Sequence, residues 1–372
     1  MLPSNKLTTH IYQFPDSKKL WHSDEKKTES LGCSACAFRV DCGGLRVDAK
    51  VYDCDSFCRC ADRAKCDNVC PNNIDHYVAR VQEVGGLNLL GIPPSQRLPK
   101  PVFPRSVPLI YHGAKRDAPL ELPVAALSLY KLIDRHTGDV KFETRKALTD
   151  YFGLARNTEL ILSGTHTDPS LERWWALDCR GRVIEKLASM DIKMVTAPNY
   201  SLFDDVPRTD NLYNMKRIAL TSLEFLQHGI PTALHVNSRT ERDYERWGEF
   251  LIEHDEFDFL TFEFGTGAGR KSRIQWHADQ LVILAERVNR PLTLVIRGGL
   301  SALPILNRAF HGVMFIDTAS FVKAQKRQIG NFDGTKLGWT QKLTSPGEPI
   351  DSLICQNASS MAKWINHLAD AA

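Results

Sequence analysis

No stretch of the 372-residue sequence approaches the ~18 consecutive apolar residues that a membrane-spanning helix needs. The opening segment, MLPSNKLTTHIYQFPDSKKLWHSDEKK, carries both charge signs and no apolar core, so no secretory signal is read there. A surplus of one charge is also missing: 47 Lys and Arg stand against 44 Asp and Glu, a formal charge of +3. A polyanion partner would therefore have to rest on a local patch. Together these absences predict a cytoplasmic protein without a membrane segment, in a compartment where disulfides do not persist. Cysteine, too, is scarce over most of the chain. Beyond residue 70 only Cys179 and Cys355 occur.

The other eight of the ten cysteines crowd into one short segment: Cys33, Cys36, Cys42, Cys54, Cys58, Cys60, Cys66 and Cys70. Core packing scatters cysteines among other apolar residues and does not cluster them. In a reducing compartment, close spacing points to thiolates on a metal, because one turn of chain can offer two of them at bonding distance. Only Cys33/Cys36 has the C-x2-C form of a zinc knuckle. Iron–sulfur clusters accept more varied spacings, and Cys70-Pro71 is similar to the Cys-Pro closing ferredoxin motifs. Residues 33–75 are therefore predicted to form an iron–sulfur module, with zinc as the alternative, after an N-terminal extension over 1–32. Cys54-x3-Cys58-x-Cys60 misses the radical S-adenosylmethionine loop by one residue, which argues against radical chemistry. A structural staple or a surface for a partner protein is the expected role.

A short helical pattern over His76–Val84 ends at Gly85-Gly86. Residues 92–108, with six prolines and no periodicity, read as a linker or wrapping arm. From residue 109 to about 330, apolar runs alternate with helical patterns. The strand candidates are Leu109–His112, Val124–Leu127, Leu160–Ser163, Met194–Ala197, Thr232–Val236, Phe259–Phe264, Leu292–Ile296 and Val313–Ile316. Helices are expected at Arg182–Ser189, Tyr213–Gln227, Glu241–Glu253, Gln275–Val288 and Ala302–Phe310. Short buried strands followed by amphipathic helices indicate βαβ units. Eight such strands over this length predict an α/β fold, a (β/α)8 TIM-like barrel; an open doubly wound sheet is the alternative. Residues 331–372 form a C-terminal extension with a terminal helix.

Chemistry in such barrels gathers at the C-terminal strand ends. Those positions offer His166 and Asp168, Asn199, His235, Asn237 and Arg239, Glu263, Arg297 and Asp317. Asp317 and Glu263 are the candidate acid–base or nucleophilic groups, with His166, Asp168 and His235 as proton carriers or metal ligands. Asn199, Asn237, Arg297, Arg217, Arg239 and Lys323 are candidates for holding a substrate. The run Gly265-x-Gly267-x-Gly269, trailed by Arg270, Lys271 and Arg273, suits an anionic group. Lys323, Lys326 and Arg327 would add positive charge at the same mouth.

From Leu171 to Asn237 an ordered set of motifs stands out. It comprises Leu171-Glu172-Arg173-Trp174-Trp175, the segment Ala197-Pro198-Asn199-Tyr200-Ser201-Leu202-Phe203-Asp204-Asp205-Val206-Pro207, Asn214-x-x-Arg217, and His228-Gly229-Ile230-Pro231. This set resembles the domain-of-unknown-function 4417 family of bacterial, phage and mobile-element proteins over the middle third of the barrel. Asn199 stands where that family often carries aspartate. The resemblance implies a fold segment and a pocket, and brings no reaction with it. Arg217 shares a helix face with Asn214, and an ion pair with Asp204 or Asp205 is its other expected role. A looser, fold-level similarity is to tRNA-guanine transglycosylase-like barrels.

The expected function is an enzyme of the transferase or hydrolase kind acting on a nucleic acid or nucleotide, whether DNA, RNA or a free nucleotide. Two alternatives stand beside it. One is a non-catalytic nucleic-acid or protein-binding component of a phage-defence or mobile-element system. The other is a metal-dependent hydrolase of a small phosphorylated substrate.

Overall fold

In the computed structural model, residues 83–202, 208–265, 271–345 and 347–370 are described. The extension 1–32, all eight clustered cysteines, most of the helix expected at His76–Val84, Asp204 and Asp205, and the Gly267–Arg270 run lie outside them. The strands are β1 Ser106–Pro108, β2 Val124–Ser128, β3 Glu159–Ser163, β4 Ile192–Thr196, β5 Thr232–His235, β6 Phe259–Glu263, β7 Thr293–Arg297 and β8 Gly312–Asp317. They form one eight-stranded sheet in the order β1-β8-β7-β6-β5-β4-β3-β2, with every pair parallel. A parallel bridge between Leu109 and Ala126, with Ile110 N donating to Ala126 O at 2.9 Å, joins the two ends. The expected (β/α)8 barrel is the fold, and the open sheet is not.

The shell follows from the periodicity of the intervening segments. Its helices are α1 Leu129–Leu132, α2 Arg145–Phe152, α3 Asp168–Trp175, α4 Arg180–Ala188, α5 Arg208–Gln227, α6 Glu241–Glu253, α7 Lys271–Val288, α8 Leu303–Ala309, α9 Ala319–Gln325 and α10 Asp351–Asp370. Local chemistry sets several ends. Thr144 caps α2 by accepting from Ala147 N, and Gly153, at φ 58°, closes it in the left-handed conformation that glycine adopts without strain. Thr240 and Asp243 make a reciprocal capping box at the start of α6.

The first strand departs from expectation. It occupies Ser106–Pro108, inside the proline-rich segment, because Leu109 onward pairs only through the closing bridge and Leu109 N to Asp317 O. The residues before it form a wrapping arm. Ser95 N donates to Glu256 at 2.8 Å, Arg97 pairs with Asp258 at 2.6 Å, and Phe103 packs on Phe259 at the start of β6. The arm thus closes the end of the barrel opposite the site. At the other boundary, β9 Gln328–Phe332 and β10 Leu337–Gln341 form an antiparallel hairpin that spans residue 330. Buried Asn357 of α10 receives Gly330 N and donates to Ser320 O and Gln328 O, tying hairpin and terminal helix to the shell. Cys179 and Cys355 are free thiols. No helix among the described residues is long and apolar enough to cross a membrane.

The barrel interior is filled by one apolar cluster that includes Val107, Val124, Ala126, Ile161, Met194, Ala233, Phe259, Val295 and Ile316. Outward-facing residues such as Leu160, Leu234, Leu260 and Leu294 pack under the helices. That division fixes, by the two-residue period of a strand, which residues face the mouth.

Candidate functional site

One step along the interior face toward the C-terminal end, the apolar layer gives way to polar side chains. Ser128 follows Ala126, Ser163 follows Ile161, Thr196 follows Met194, His235 follows Ala233 and Arg297 follows Val295, while Glu263 lies two steps beyond Phe259. Pairing aligns Ser128 with Ser163, Ser163 with Thr196, and Glu263 with Arg297. Several of these groups hold buried polar atoms that make no hydrogen bond. Ser128 Oγ, Ser163 Oγ, both ring nitrogens of His235 and Glu263 Oε2 have no hydrogen-bond partner among the described residues. Such orphans are uncommon in native interiors, where an unmet buried polar group costs about 1–3 kcal/mol.

Above this layer lies a cavity of about 340 Å³, bordered by His166, Asp168, Asn199, His235, Asn237, Arg239 and Glu263. Seven of the eleven residues singled out along the barrel sequence therefore meet in one place. Arg297 stands at its edge, with Nε 3.3 Å from Glu263 Oε2. Four groups are held by the framework. Asp168 Oδ1 accepts from Ser201 Oγ at 2.6 Å, and Asn199 Oδ1 accepts from His166 N at 3.1 Å. Asn237 Nδ2 donates to Tyr200 O at 3.0 Å, and Arg239 Nε donates to Leu202 O at 2.5 Å. These bonds orient the amides from behind and leave Asn199 Nδ2 and Asn237 Oδ1 for a ligand.

Burial sets the proton affinities. His235 is 1% exposed, and desolvation pushes its imidazole down to about 3, so the ring is neutral near pH ~7. Burial raises Glu263 above the ordinary carboxyl range, against the opposing pull of Arg297 and of Gly265 N, which donates to Glu263 Oε1 at 2.6 Å. His166 is lowered by burial and by Lys131, Arg135 and Arg297. His277 of α7 also borders the cavity; Tyr244 Oη lies 2.6 Å from its Nδ1, and burial, Arg239 and Arg273 bring it to about 3. His277 was not foreseeable, since it sits inside a helix far in sequence from any strand end. Ser128 and Ser163 were foreseeable from the two-residue period.

Three expected site residues do not join the cavity. Asp317 follows inward-facing Ile316 and so points to the outer face. Its Oδ1 accepts from Ala319 N at 2.8 Å and Ser320 N at 3.1 Å, capping α9. Arg217 is buried behind the wall, paired bidentately with Glu172 at 2.7 and 2.9 Å and stacked 4.1 Å from the Tyr200 ring centroid. Its ion-pair partner is thus Glu172; Asp204 and Asp205 lie outside the described residues. Lys323 lies over the Trp339 ring at 5.4 Å, and Arg327 donates to Pro349 O and Glu348 O, so neither charge borders the cavity. Glu172, Trp175, Tyr200, Asn214 and Arg217, all within the 171–237 motifs, form one brace under the Asn199 loop. Asn214 Nδ2 completes it by donating to Ser201 O at 2.6 Å.

Among the described residues, no three His, Cys, Asp or Glu side chains converge in a way that could hold a metal ion. His166, Asp168, His235 and Glu263 share the cavity as separate polar groups. The predicted cysteine ligands lie outside the described residues. No protein-family model and no curated protein matches this chain.

Proposed function

We propose that the barrel mouth is the active site of an acid–base enzyme acting on a nucleotide or on a nucleoside unit of a nucleic acid. The observation that carries this reading is the buried polar layer in which Glu263, ion-paired only at the edge with Arg297, and unpartnered His235 face one cavity. A carboxyl with raised proton affinity can give or take a proton at moderate pH. Neutral His235 can donate one hydrogen bond and accept another without adding charge. Asn199 Nδ2 and Asn237 Oδ1 supply the donor and acceptor that the edge of a heterocyclic base needs, and a cavity of about 340 Å³ suits a unit of that size. Glu263 is the general acid or base, Arg297 tunes it, and Asp168 and His166 hold the sugar side. The cysteine segment would carry an iron–sulfur cluster, or zinc, as a folded appendage outside this chemistry.

The test is turnover of a panel of nucleosides, nucleoside monophosphates and short single-stranded RNA and DNA, read by mass spectrometry. Removing a general acid or base lowers the rate by roughly 10²–10⁴-fold, and that is the expectation for Glu263→Gln with an unchanged melting temperature. Saturable binding without turnover of any panel member would support a non-catalytic binding protein instead. A wild-type rate in Glu263→Gln would remove this residue from the chemistry.

A further inference from the structure

Beside the main cavity, and sharing the His166 ring as a wall, lies a second pocket of about 210 Å³. It sits between α1, the turn that follows it, and α3. Three cations border it: Lys131 from α1, Arg135 from the turn and Arg173 from α3. None of the three side chains has an ion-pair or hydrogen-bond partner among the described residues, whereas nearby cations are engaged. Lys186 holds Glu143, Arg180 holds Glu224, and Lys141 Nζ donates to Lys131 O. One carboxylate, Asp134, also borders the pocket, but its Oδ1 turns into the hairpin to accept from His136 N and Thr137 N. Three positive charges against one carboxylate therefore border this pocket, with the Ser170 side chain beside them. The side chains of Ile133, Trp174 and Leu177 also line this pocket.

We infer that this annex is a phosphate subsite, which receives the terminal phosphate of a mononucleotide whose base and sugar occupy the main cavity. The inference rests on the reading of the mouth as a substrate cavity. Three cations on the rim of one pocket, two from α1 and its turn and one from α3, match a phosphomonoester dianion, which accepts charge-assisted bonds from several directions at once. A polymer backbone would call for cations continuing as a track, whereas Lys186 and Arg180 are already held by Glu143 and Glu224. The His166 ring, tilted against Tyr130 at 5.1 Å, stands where the two compartments meet. A molecule filling both would pass its ester linkage across that ring.

Calorimetric titration of inorganic phosphate into the full chain at low salt tests the annex without turnover. Saturable one-site binding is expected, weakened at least ~tenfold in Lys131→Gln/Arg135→Gln/Arg173→Gln, as loss of charge-assisted bonds requires. The three side chains are exposed, so the variant should keep the wild-type melting temperature. Nucleoside 5′-monophosphates should bind more tightly than the matching nucleosides in the wild type and equally in the variant. Unchanged phosphate affinity in the folded triple variant, or no saturable binding in the wild type, would overturn the assignment. So would an oligonucleotide lacking a terminal phosphate that competes as well as a monophosphate. Glu263→Gln should bind phosphate as the wild type does. A catalytically unaffected Glu263→Gln with an intact phosphate site sinks the acid–base reading alone, and an active enzyme without that site sinks this inference alone.

Discussion

Replacing His235 with leucine should make the protein more stable and functionally silent. The imidazole is 1% exposed and neither nitrogen has a partner among the described residues, so its polar atoms were desolvated without compensation. Removing such an orphan in favour of an apolar side chain of similar volume should gain about 1–3 kcal/mol near neutral pH. For a barrel of this size that is roughly 2–6 °C in melting temperature. The gain should grow on acidification. The unfolded imidazole takes a proton near its ordinary 6.5, whereas the folded one does so only near about 3. Between those values the unfolded state binds more protons, so wild-type stability falls as pH falls. At about pH 4 the loss is about 3 kcal/mol, and the leucine variant does not suffer it. Urea unfolding of both proteins between pH ~7 and ~4 reads the difference directly, since contributions from His277 and the carboxylates cancel. A leucine variant less stable than wild type at both ends, or a gap independent of pH, would refute the account of His235 as a buried, uncompensated group.

Further outcomes follow from the geometry of the barrel and from the spacing of the cysteines. Arg297 opposes the burial that raises Glu263, so Arg297→Met should move the carboxylate limb of the pH–rate profile further upward; a downward or absent shift would separate the two residues. Arg217→Met should lose about 2–4 kcal/mol in urea unfolding, because it removes a bidentate pair and a stacked cation from the brace. Glu172→Gln should lose under ~1 kcal/mol, as that carboxylate is 57% exposed. Protein purified without oxygen should carry iron and sulfide and absorb visible light. A colourless protein with stoichiometric zinc would replace the cluster with a zinc site, and a metal-free one would end the metal reading of the cysteines.

The barrel was legible because seven of its strands are apolar runs bounded by polar ends, each long enough to bury both faces. The first strand was not, since three residues within a proline-rich arm carry no periodicity. Seven site residues were legible from their strand-end positions alone. Asp317 shows why position is not sufficient: it also ends a strand, but the two-residue period counted from Met314 and Ile316 turns it outward, onto the start of α9. The same count from Ala233 turns His235 inward, and from Phe259 it does so for Glu263. Arg217 illegibly joined residues 45 positions apart; its partner Glu172 is set by how α3 and α5 pack, which no local pattern records. The cations of the annex were hidden for a related reason. Lys131, Arg135 and Arg173 look like ordinary surface charges until the turn after α1 is brought against α3.

Glu263→Gln and Asp317→Asn, assayed side by side in single turnover on whichever panel substrate the wild type converts, test the central claim most directly. The two residues are both buried carboxyls at strand ends, differing in the face they occupy. Glu263→Gln should be folded and slower by roughly 10²-fold or more. Asp317→Asn should keep a rate near wild type while melting at a lower temperature, since it weakens the cap of α9. A fast Glu263→Gln, or a well-folded Asp317→Asn that has lost the rate, would contradict the placement of the active site in this cavity.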